Sequence, residues 1–140
     1  MKNITLKDIQ YIAFTLARQI MSYDEPIPDY STRFPGVLES CVATPFMKFE
    51  GKYLYKTFID KAAILFYLMI KNHPFQNGNK RIVVTTLLCF LGKNGRWINV
   101  DAKNLYNLTV WIAQSPADVK GDVIAAVKSY IEKYYVKAKD

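Results

Sequence analysis

Two apolar segments, separated by a short polar one, constrain the fold of this chain more than any other feature. Residues 58–70 (FIDKAAILFYLMI) are apolar on nearly every helical face, and residues 82–91 (IVVTTLLCFL) carry no charge. A helix that is apolar all round is a buried helix. The β-branched start of 82–91 is also compatible with a buried strand, but no other segment offers a partner strand of similar strength. Gly92 and Gly95 then supply a helix stop signal. We therefore predict an all-α fold with two buried central helices.

Amphipathic patterns predict four further helices around this pair. They cover residues 5–22, 36–44, 101–113 and 116–136. Three helix starts carry the capping-box pattern, a Ser or Thr followed three residues later by an acid: Thr5 and Asp8, Thr57 and Asp60, Ser115 and Asp118. Pro116 fits the first position of the last helix, where a missing amide hydrogen does no harm. The face of the first helix that is predicted to be buried consists of Leu6, Ile9, Ile12, Ala13, Leu16 and Ile20.

Two segments outside the helices have their own signals. Residues 24–35 contain three prolines and predict an ordered loop. Residues Phe49–Tyr55 (FEGKYLY) place a glycine between aromatic flanks, which is typical either of a small β-hairpin or of a plain loop.

Length and composition exclude several classes of protein. The 140 residues predict one domain over 1–140, and 51% hydrophobic residues with 22% charged residues exclude wholesale disorder. Two cysteines without a CxxC spacing and a single histidine argue against a structural zinc site. No apolar run reaches the ~18 residues of a membrane span, and residues 1–22 do not have the pattern of a signal peptide. We expect a cytoplasmic protein without disulfides and without a membrane partner.

The excess of positive charge indicates a negative partner. Nineteen Lys and Arg residues against twelve Asp and Glu residues give a formal charge of +7. Nucleic acid, a phosphate-bearing small molecule, an acidic protein and a membrane surface would all match this sign. The basic residues are scattered along the chain and form no single stripe. We therefore predict no direct binding of nucleic acid.

The polar segment between the two buried helices has the features of an anion site. Residues 71–81 (KNHPFQNGNKR) lead into the N-terminus of the second buried helix, where free N–H groups and the helix dipole favour an anion. Gly78 permits close approach to the backbone, and Lys80 and Arg81 place cations where a helix ordinarily prefers acids. His73 is a candidate base for a hydroxyl nucleophile. A plain helix–helix loop with a structural histidine would have a similar composition.

The segment HPFQNGNKR resembles the signature loop of the Fic/Doc superfamily, whose pattern is HxFx[D/E]GNx[K/R]. The flanking residues are similar to the Doc (death-on-curing) branch in particular: Pro35–Ser40 (PGVLES), Tyr53–Tyr55 (YLY), Lys61–Ala63 (KAA) before Lys71–Phe75 (KNHPF), and Asn94-Gly95. The resemblance covers about residues 4–130. It implies an all-α Fic/Doc-type bundle that transfers part of ATP to a protein hydroxyl. Doc toxins transfer phosphate to a translation factor, here expected to be elongation factor Tu, whereas Fic enzymes transfer AMP.

The resemblance also implies a role for each residue of the loop. His73 would activate the target hydroxyl, and Phe75 would anchor the loop in the core. The phosphates would be held by Gly78, Asn79, Lys80 and Arg81. Lys80 stands where most Fic enzymes have glycine, and Val84 stands where AMP-transferring members have a second arginine. Both differences favour phosphate transfer.

Asn77 departs from the family pattern. It occupies the position of the acid that binds Mg²⁺, and an amide oxygen brings no charge to a metal that prefers carboxylates and phosphates. The sequence is compatible with a natural variant of altered activity, a non-catalytic nucleotide- or partner-binding relative, or an inactivating Asp→Asn change in a toxic protein.

The resemblance further implies two interaction surfaces. The segment containing Lys52, Tyr53 and Leu54 resembles the flap that positions a target peptide, although a surface loop with packed aromatics fits equally well. The chain carries no [ST]xxxE[GN] inhibitory motif. We therefore expect inhibition by a separate antitoxin, encoded adjacently, that docks across the loop and the helix at residues 1–22.

Overall fold

The computed structural model describes residues 1–20 and 26–137, and it has an all-α architecture with six helices and two small two-stranded sheets. The helices are α1 (Leu6–Asp8, Ile9–Ala13 and Phe14–Ile20 in one run), α2 (Pro35–Ala43), α3 (Phe58–Lys71), α4 (Asn79–Lys93), α5 (Ala102–Gln114) and α6 (Lys120–Tyr134). The strands are β1 (Lys48–Phe49), β2 (Lys52–Tyr53), β3 (Arg96–Ile98) and β4 (Tyr135–Lys137). The predicted all-α fold is confirmed. Short 3₁₀ turns lie at Tyr30–Thr32, Thr44–Phe46 and Ala117–Val119.

The predicted central pair is α3 and α4, which pack against each other and are buried along most of their length. The capping box at the start of α3 is confirmed: the Asp60 amide donates to the Thr57 hydroxyl at 3.0 Å, and the Thr57 amide donates to the Asp60 carboxylate at 3.1 Å. Gly92 lies inside α4, so Gly95 provides the stop, with a φ of +69° just after the C-cap residue.

The predicted Thr5 cap of the first helix is confirmed, but the buried face predicted for this helix is partly wrong. The amide of Phe14 bonds to the oxygen of Ile9, an i→i+5 pattern that adds one residue to a turn. The extra residue moves the buried register, so the side chains that are buried are Ile9, Ala13, Phe14 and Ala17. Ile12, which was predicted to be buried, is 47% exposed. The side chain of Ile20 and the predicted helix end at 21–22 lie outside the described residues.

The first sheet is a β-hairpin, which is one of the two alternatives predicted for residues Phe49–Tyr55. Lys48 pairs with Tyr53 and Phe49 with Lys52, and the two turn residues have positive φ angles, 52° at Glu50 and 80° at Gly51. Two successive residues with positive φ form a type I′ turn, whose twist matches that of the two strands it connects.

The helix predicted over residues 116–136 is shorter in the structure, where it covers Lys120–Tyr134. Ser115 does not cap that helix; it ends α5, and its hydroxyl donates to the oxygen of Ile112 at 2.5 Å. Pro116 precedes a 3₁₀ turn, and the α-helix begins at Lys120. The last residues leave the helix because β4 pairs with β3, which lies about forty residues earlier and was not predicted.

Two ion pairs tie the outer helices to the central pair. Lys93 of α4 contacts Asp8 of α1 at 2.6 Å, and Lys128 of α6 contacts Asp60 of α3 at 2.7 Å. Burial raises the pKa of each Asp carboxyl, but hydrogen bonds from the Lys partner and from the capping threonine outweigh it and leave the pKa below its usual value.

Acidification should therefore destabilise the fold through Asp60. Its carboxyl has a lower pKa in the folded chain than the value near 3.9 of an unfolded one, so its contribution is present above about pH 4 and is lost as the pH falls through the folded pKa. We expect the melting temperature to fall as the pH drops below about 4, and to fall less in Asp60→Asn. Lys128→Met should make this loss smaller, because without the ammonium the folded pKa of Asp60 lies closer to its unfolded value. A melting temperature that falls with decreasing pH as steeply in Asp60→Asn as in the parent would contradict this.

Candidate active site

The loop of residues 72–78 connects the C-terminus of α3 to the N-terminus of α4. Asn72 is the C-cap of α3, and His73 follows with a φ of +49°. Glycine is the usual residue directly after a helix C-cap because it accepts this left-handed conformation without strain. His73 is exposed and takes a backbone conformation that costs a side-chain-bearing residue about 1 kcal/mol.

The side chain of Asn79 closes this loop. Its Nδ2 donates to the oxygen of Phe75 at 2.7 Å, and its Oδ1 accepts from the amide of Phe75 at 3.0 Å. The paired bonds satisfy both main-chain groups of Phe75 within the loop. The structure thus gives Asn79 a loop-closing contact, and its contact with a phosphate stays a prediction.

Aromatic and main-chain contacts hold the other side of the loop. The Phe75 ring is 1% exposed and meets the ring of Phe14 edge to face, with centroids 5.2 Å apart. The amide of Phe34 donates to the oxygen of Pro74 at 2.8 Å. Sequence reasoning included Phe75 but missed Phe14, because the π turn that aims Phe14 inwards leaves no pattern in the sequence.

Gly78 is the N-cap of α4 and lies against the segment of residues 26–28. Its φ is +72°, and a Cβ at this position would stand 3.1 Å from the oxygen of Pro26 and 3.3 Å from Cδ of Pro28. Glycine is therefore needed here both for the backbone angle and for the close approach of this segment. The α4 N-terminus has no side-chain cap and no acid in its first turn.

The cations near the loop differ in what they already bind. Arg81 is 5% exposed and donates to the oxygen of Ala17 in α1 at 2.6 Å. The Lys71 ammonium donates to the oxygen of Ser115, at the C-terminus of α5, where the helix dipole favours a cation. Lys80 is half-buried, and within the described residues no hydrogen-bond or ion-pair partner is found for its ammonium. An incoming anion would therefore meet Lys80 before the other two.

His73 and Lys80 share a cavity of about 40 Å³ whose remaining walls are Ile70, Asn79 and Ala113. This volume admits a few water-sized groups and not a nucleotide. A more open cleft of about 430 Å³ reaches the loop at Asn72, next to His73, and is otherwise lined by Gly36, Val37 and Ser40. The loop thus combines a small polar cavity with an adjoining larger cleft.

The residues present do not make a magnesium site. The Oδ1 atom of Asn77 is buried and has no hydrogen-bond partner among the described residues. It is an acceptor without charge, and residues 1–20 and 26–137 contain no group of three His, Cys, Asp or Glu side chains that could hold a metal. Mg²⁺ is ordinarily held by carboxylates together with substrate phosphates.

The hairpin containing Lys52, Tyr53 and Leu54 lies away from the loop. Its Tyr53 ring contacts Phe46, whose ring contacts Phe90 near the C-terminus of α4, and the Lys61 ammonium lies over the same Tyr53 ring. Lys61 is in the first turns of α3, whereas His73 follows the C-terminus of that helix, and α3 is about 20 Å long. The structure therefore does not bring the predicted flap residues together with the loop.

A comparison with protein families gives one match, which covers the loop. The model of the Fic/DOC family matches residues 3–91, which is more than half of the chain and includes the whole loop. The chain belongs to the Fic/DOC family. The match places α1, α2, α3 and most of α4 in this Fic/DOC domain. Neither the curated proteins nor the solved structures contain a match. No helix in the described part of the chain has the length and apolar character needed to cross a membrane.

Substituting Gly78 should destabilise the Fic/DOC domain through its backbone. Gly78→Ala forces a Cβ onto a φ of +72° and towards the Pro26 oxygen, so we expect a loss of roughly 1–3 kcal/mol in the free energy of unfolding. Gly92→Ala is the matched control, because Gly92 lies within α4 and its Cβ would meet nothing within 4 Å. That variant should gain about 0.5–1 kcal/mol. Urea denaturation measures both, and equal stabilities would contradict the assignment.

Proposed function

We propose that this Fic/DOC domain transfers the γ-phosphoryl group of ATP to a hydroxyl of a translation protein, with elongation factor Tu as the expected target. In this proposal the chain is the toxin of a toxin–antitoxin pair. It acts in the cytoplasm and is inhibited by a separate antitoxin encoded next to it. Family membership supports a Fic-type domain, and the resemblance of HPFQNGNKR and its flanks to the Doc branch supports the narrower function.

The backbone of His73 carries the proposal. A side chain at a positive φ directly after a helix is less favourable than glycine, so stability does not explain the residue. Residues held in costly conformations are often functional. His73 is exposed and lines the same small cavity as Lys80, beside a helix N-terminus without a side-chain cap. A base, a cation and free N–H groups at one point are suited to proton removal next to a phosphate.

The proposed step is an in-line displacement at the γ-phosphorus of ATP. The neutral imidazole of His73 accepts the proton of the target hydroxyl as its oxygen attacks phosphorus. A bond forms between that oxygen and the γ-phosphorus, and the bond from phosphorus to the β–γ bridging oxygen breaks. ADP leaves with the bridging oxygen and its electron pair. Lys80 and the N–H groups of the first turn of α4 stabilise the negative charge of the phosphates.

Two positions favour phosphate transfer over AMP transfer. Lys80 provides a cation at the position where glycine is usual in Fic enzymes. Val84 occupies the position of the second arginine of AMP-transferring members, and its side chain is fully buried in the core. The site therefore lacks the second guanidinium, which AMP transfer is expected to need in addition to that of Arg81. No step is assigned to magnesium held by the protein, because Asn77 offers it a single uncharged oxygen.

Transfer of label from ATP tests the reaction and the role of His73. With the purified chain and elongation factor Tu, we expect label from the γ-phosphate to reach the target. His73→Ala should reduce the rate by about 10²–10⁴-fold, the usual contribution of a general base. His73→Gly should reduce it equally while gaining about 1 kcal/mol of stability from relief of the positive φ. Label transferred from the α-phosphate instead would contradict the proposal and indicate AMP transfer.

Restoring the acid at position 77 tests whether Asn77 limits activity. Asn77→Asp adds the charge that a metal–phosphate complex requires, and we expect transfer and growth inhibition to rise by about tenfold or more. The double variant Asn77→Asp, His73→Ala carries the same added acid and should inhibit no growth. If Asn77→Asp neither inhibits growth nor transfers label, the fold binds a nucleotide or partner without chemistry.

A further inference from the structure

A second cavity lies beside the β1–β2 hairpin, at the end of α3 remote from His73. It is a cleft of about 480 Å³ lined by Met1, Asn3, Phe46, Tyr53, Lys56 and Lys61. This volume is in the range of binding sites for small organic molecules. Two lysines, an asparagine amide and two aromatic rings face one space, and none of the lining residues is acidic.

Lys61 is the unusual residue of this cleft. It is 1% exposed, although lysine is seldom buried to this extent without an acidic partner. Its ammonium lies 4.1 Å from the centre of the Tyr53 ring and 5.7 Å from that of Phe46, and it donates to the main-chain oxygen of Tyr55. Rings and a carbonyl stabilise a cation but leave its charge uncompensated.

The acid next to Lys61 in sequence is used elsewhere. Asp60 accepts from Lys128 at 2.7 Å and from the amide of Thr57 at 3.1 Å. Within the described residues Lys61 makes no ion pair. Burial lowers the pKa of Lys61, against the opposing effect of the Asp60 charge, which agrees with a cation that the protein itself does not neutralise.

We propose that this cleft binds the carboxylate of an organic ligand, with Lys61 and Lys56 contacting the carboxylate and the Phe46 and Tyr53 rings contacting the apolar body. The amide of Asn3 supplies a further donor. The proposal does not depend on the function assigned to the loop, because the cleft shares no residue with the cavities beside His73.

The first turn of α3 explains why the charge is a carboxylate and not a phosphate. The Asp60 amide is already bonded to the Thr57 hydroxyl, so this helix end has one free N–H group fewer to offer an anion. A dianion gains little from such an N-terminus. A single carboxylate needs two donors and is matched by the lysine pair, while the aromatic walls favour a ligand with an apolar part.

Titration of the labelled full chain followed by amide NMR tests the proposal. The probes are phenylacetate, its uncharged match phenylacetamide, and inorganic phosphate. We expect phenylacetate to shift the amide resonances of Asn3, Tyr53 and Lys61 in a saturable way and to leave those of His73 and Asn79 unmoved. Phenylacetamide and phosphate should bind at least about tenfold more weakly, the effect of losing one charge-assisted contact.

Three variants separate binding from folding. Lys56→Gln removes an exposed cation of the cleft and should weaken the binding of phenylacetate by about tenfold without disturbing the fold. Lys61→Met should abolish the saturable binding of phenylacetate. Lys103→Gln removes the same charge from an exposed position of α5 and should leave binding unchanged. If Lys61→Met unfolds, Lys56→Gln and the phenylacetamide comparison still decide the question.

A blocked dipeptide, N-acetyl-Phe-Glu-amide, with its Gln match, identifies the source of the carboxylate. Tighter binding of the Glu peptide than of phenylacetate assigns the carboxylate to a protein segment, and the reverse order assigns it to a free small acid; both support the site. Equal shifts by phenylacetate and phenylacetamide, tighter binding of phosphate, or an unchanged titration in Lys56→Gln would each overturn the proposal. Because the loop resonances are observed in the same spectra, failure here is distinguishable from failure of the phosphoryl-transfer proposal.

Discussion

The burial of α3 and α4 side by side is the constraint on which the rest of the structure depends. Both helices are apolar around most of their circumference, so each must be covered by the other and by the outer helices. A connection of seven residues then has to reverse the chain between the two helices. The loop achieves this with left-handed backbone at His73 and Gly78 and with the paired bonds between Asn79 and Phe75. The geometry of the candidate active site is a direct consequence of this connection.

Cations that are wholly or partly buried serve structural purposes in this basic chain. Arg81 donates to the Ala17 oxygen and Lys71 to the Ser115 oxygen, so each ties a central helix to an outer element. Lys61 lies over aromatic rings at the base of the hairpin. These contacts use carbonyl oxygens and rings, which do not neutralise charge. The excess charge of +7 therefore includes cations that are wholly or partly buried, and Lys61 and Lys80 each line a cavity.

Local rules hold along most of the chain and fail at the loop. Thr5, Thr57 and Asp101 cap their helices through side-chain oxygens, whereas α2, α4 and α6 begin without a side-chain cap. Among these, α4 begins at a left-handed Gly78 and carries Lys80 and Arg81 in its first turn. His73 takes a conformation that favours glycine. Sequences usually depart from local consistency where function requires it. These departures coincide with the segment by which the chain resembles Fic/Doc proteins.

The sequence by itself determined the all-α class, the two buried helices, the caps at Thr5 and Thr57, and the family-like loop. These depend on periodicity and on contacts three or four residues apart, which a single segment contains. Only the tertiary structure decided the exposure of Ile12, the pairing of β3 with β4, and the position of the hairpin at the far end of α3 from His73. It also decided the burial of Lys61. Each of these depends on an extra residue in one helical turn or on packing between distant segments, and neither leaves a periodic signal in the chain.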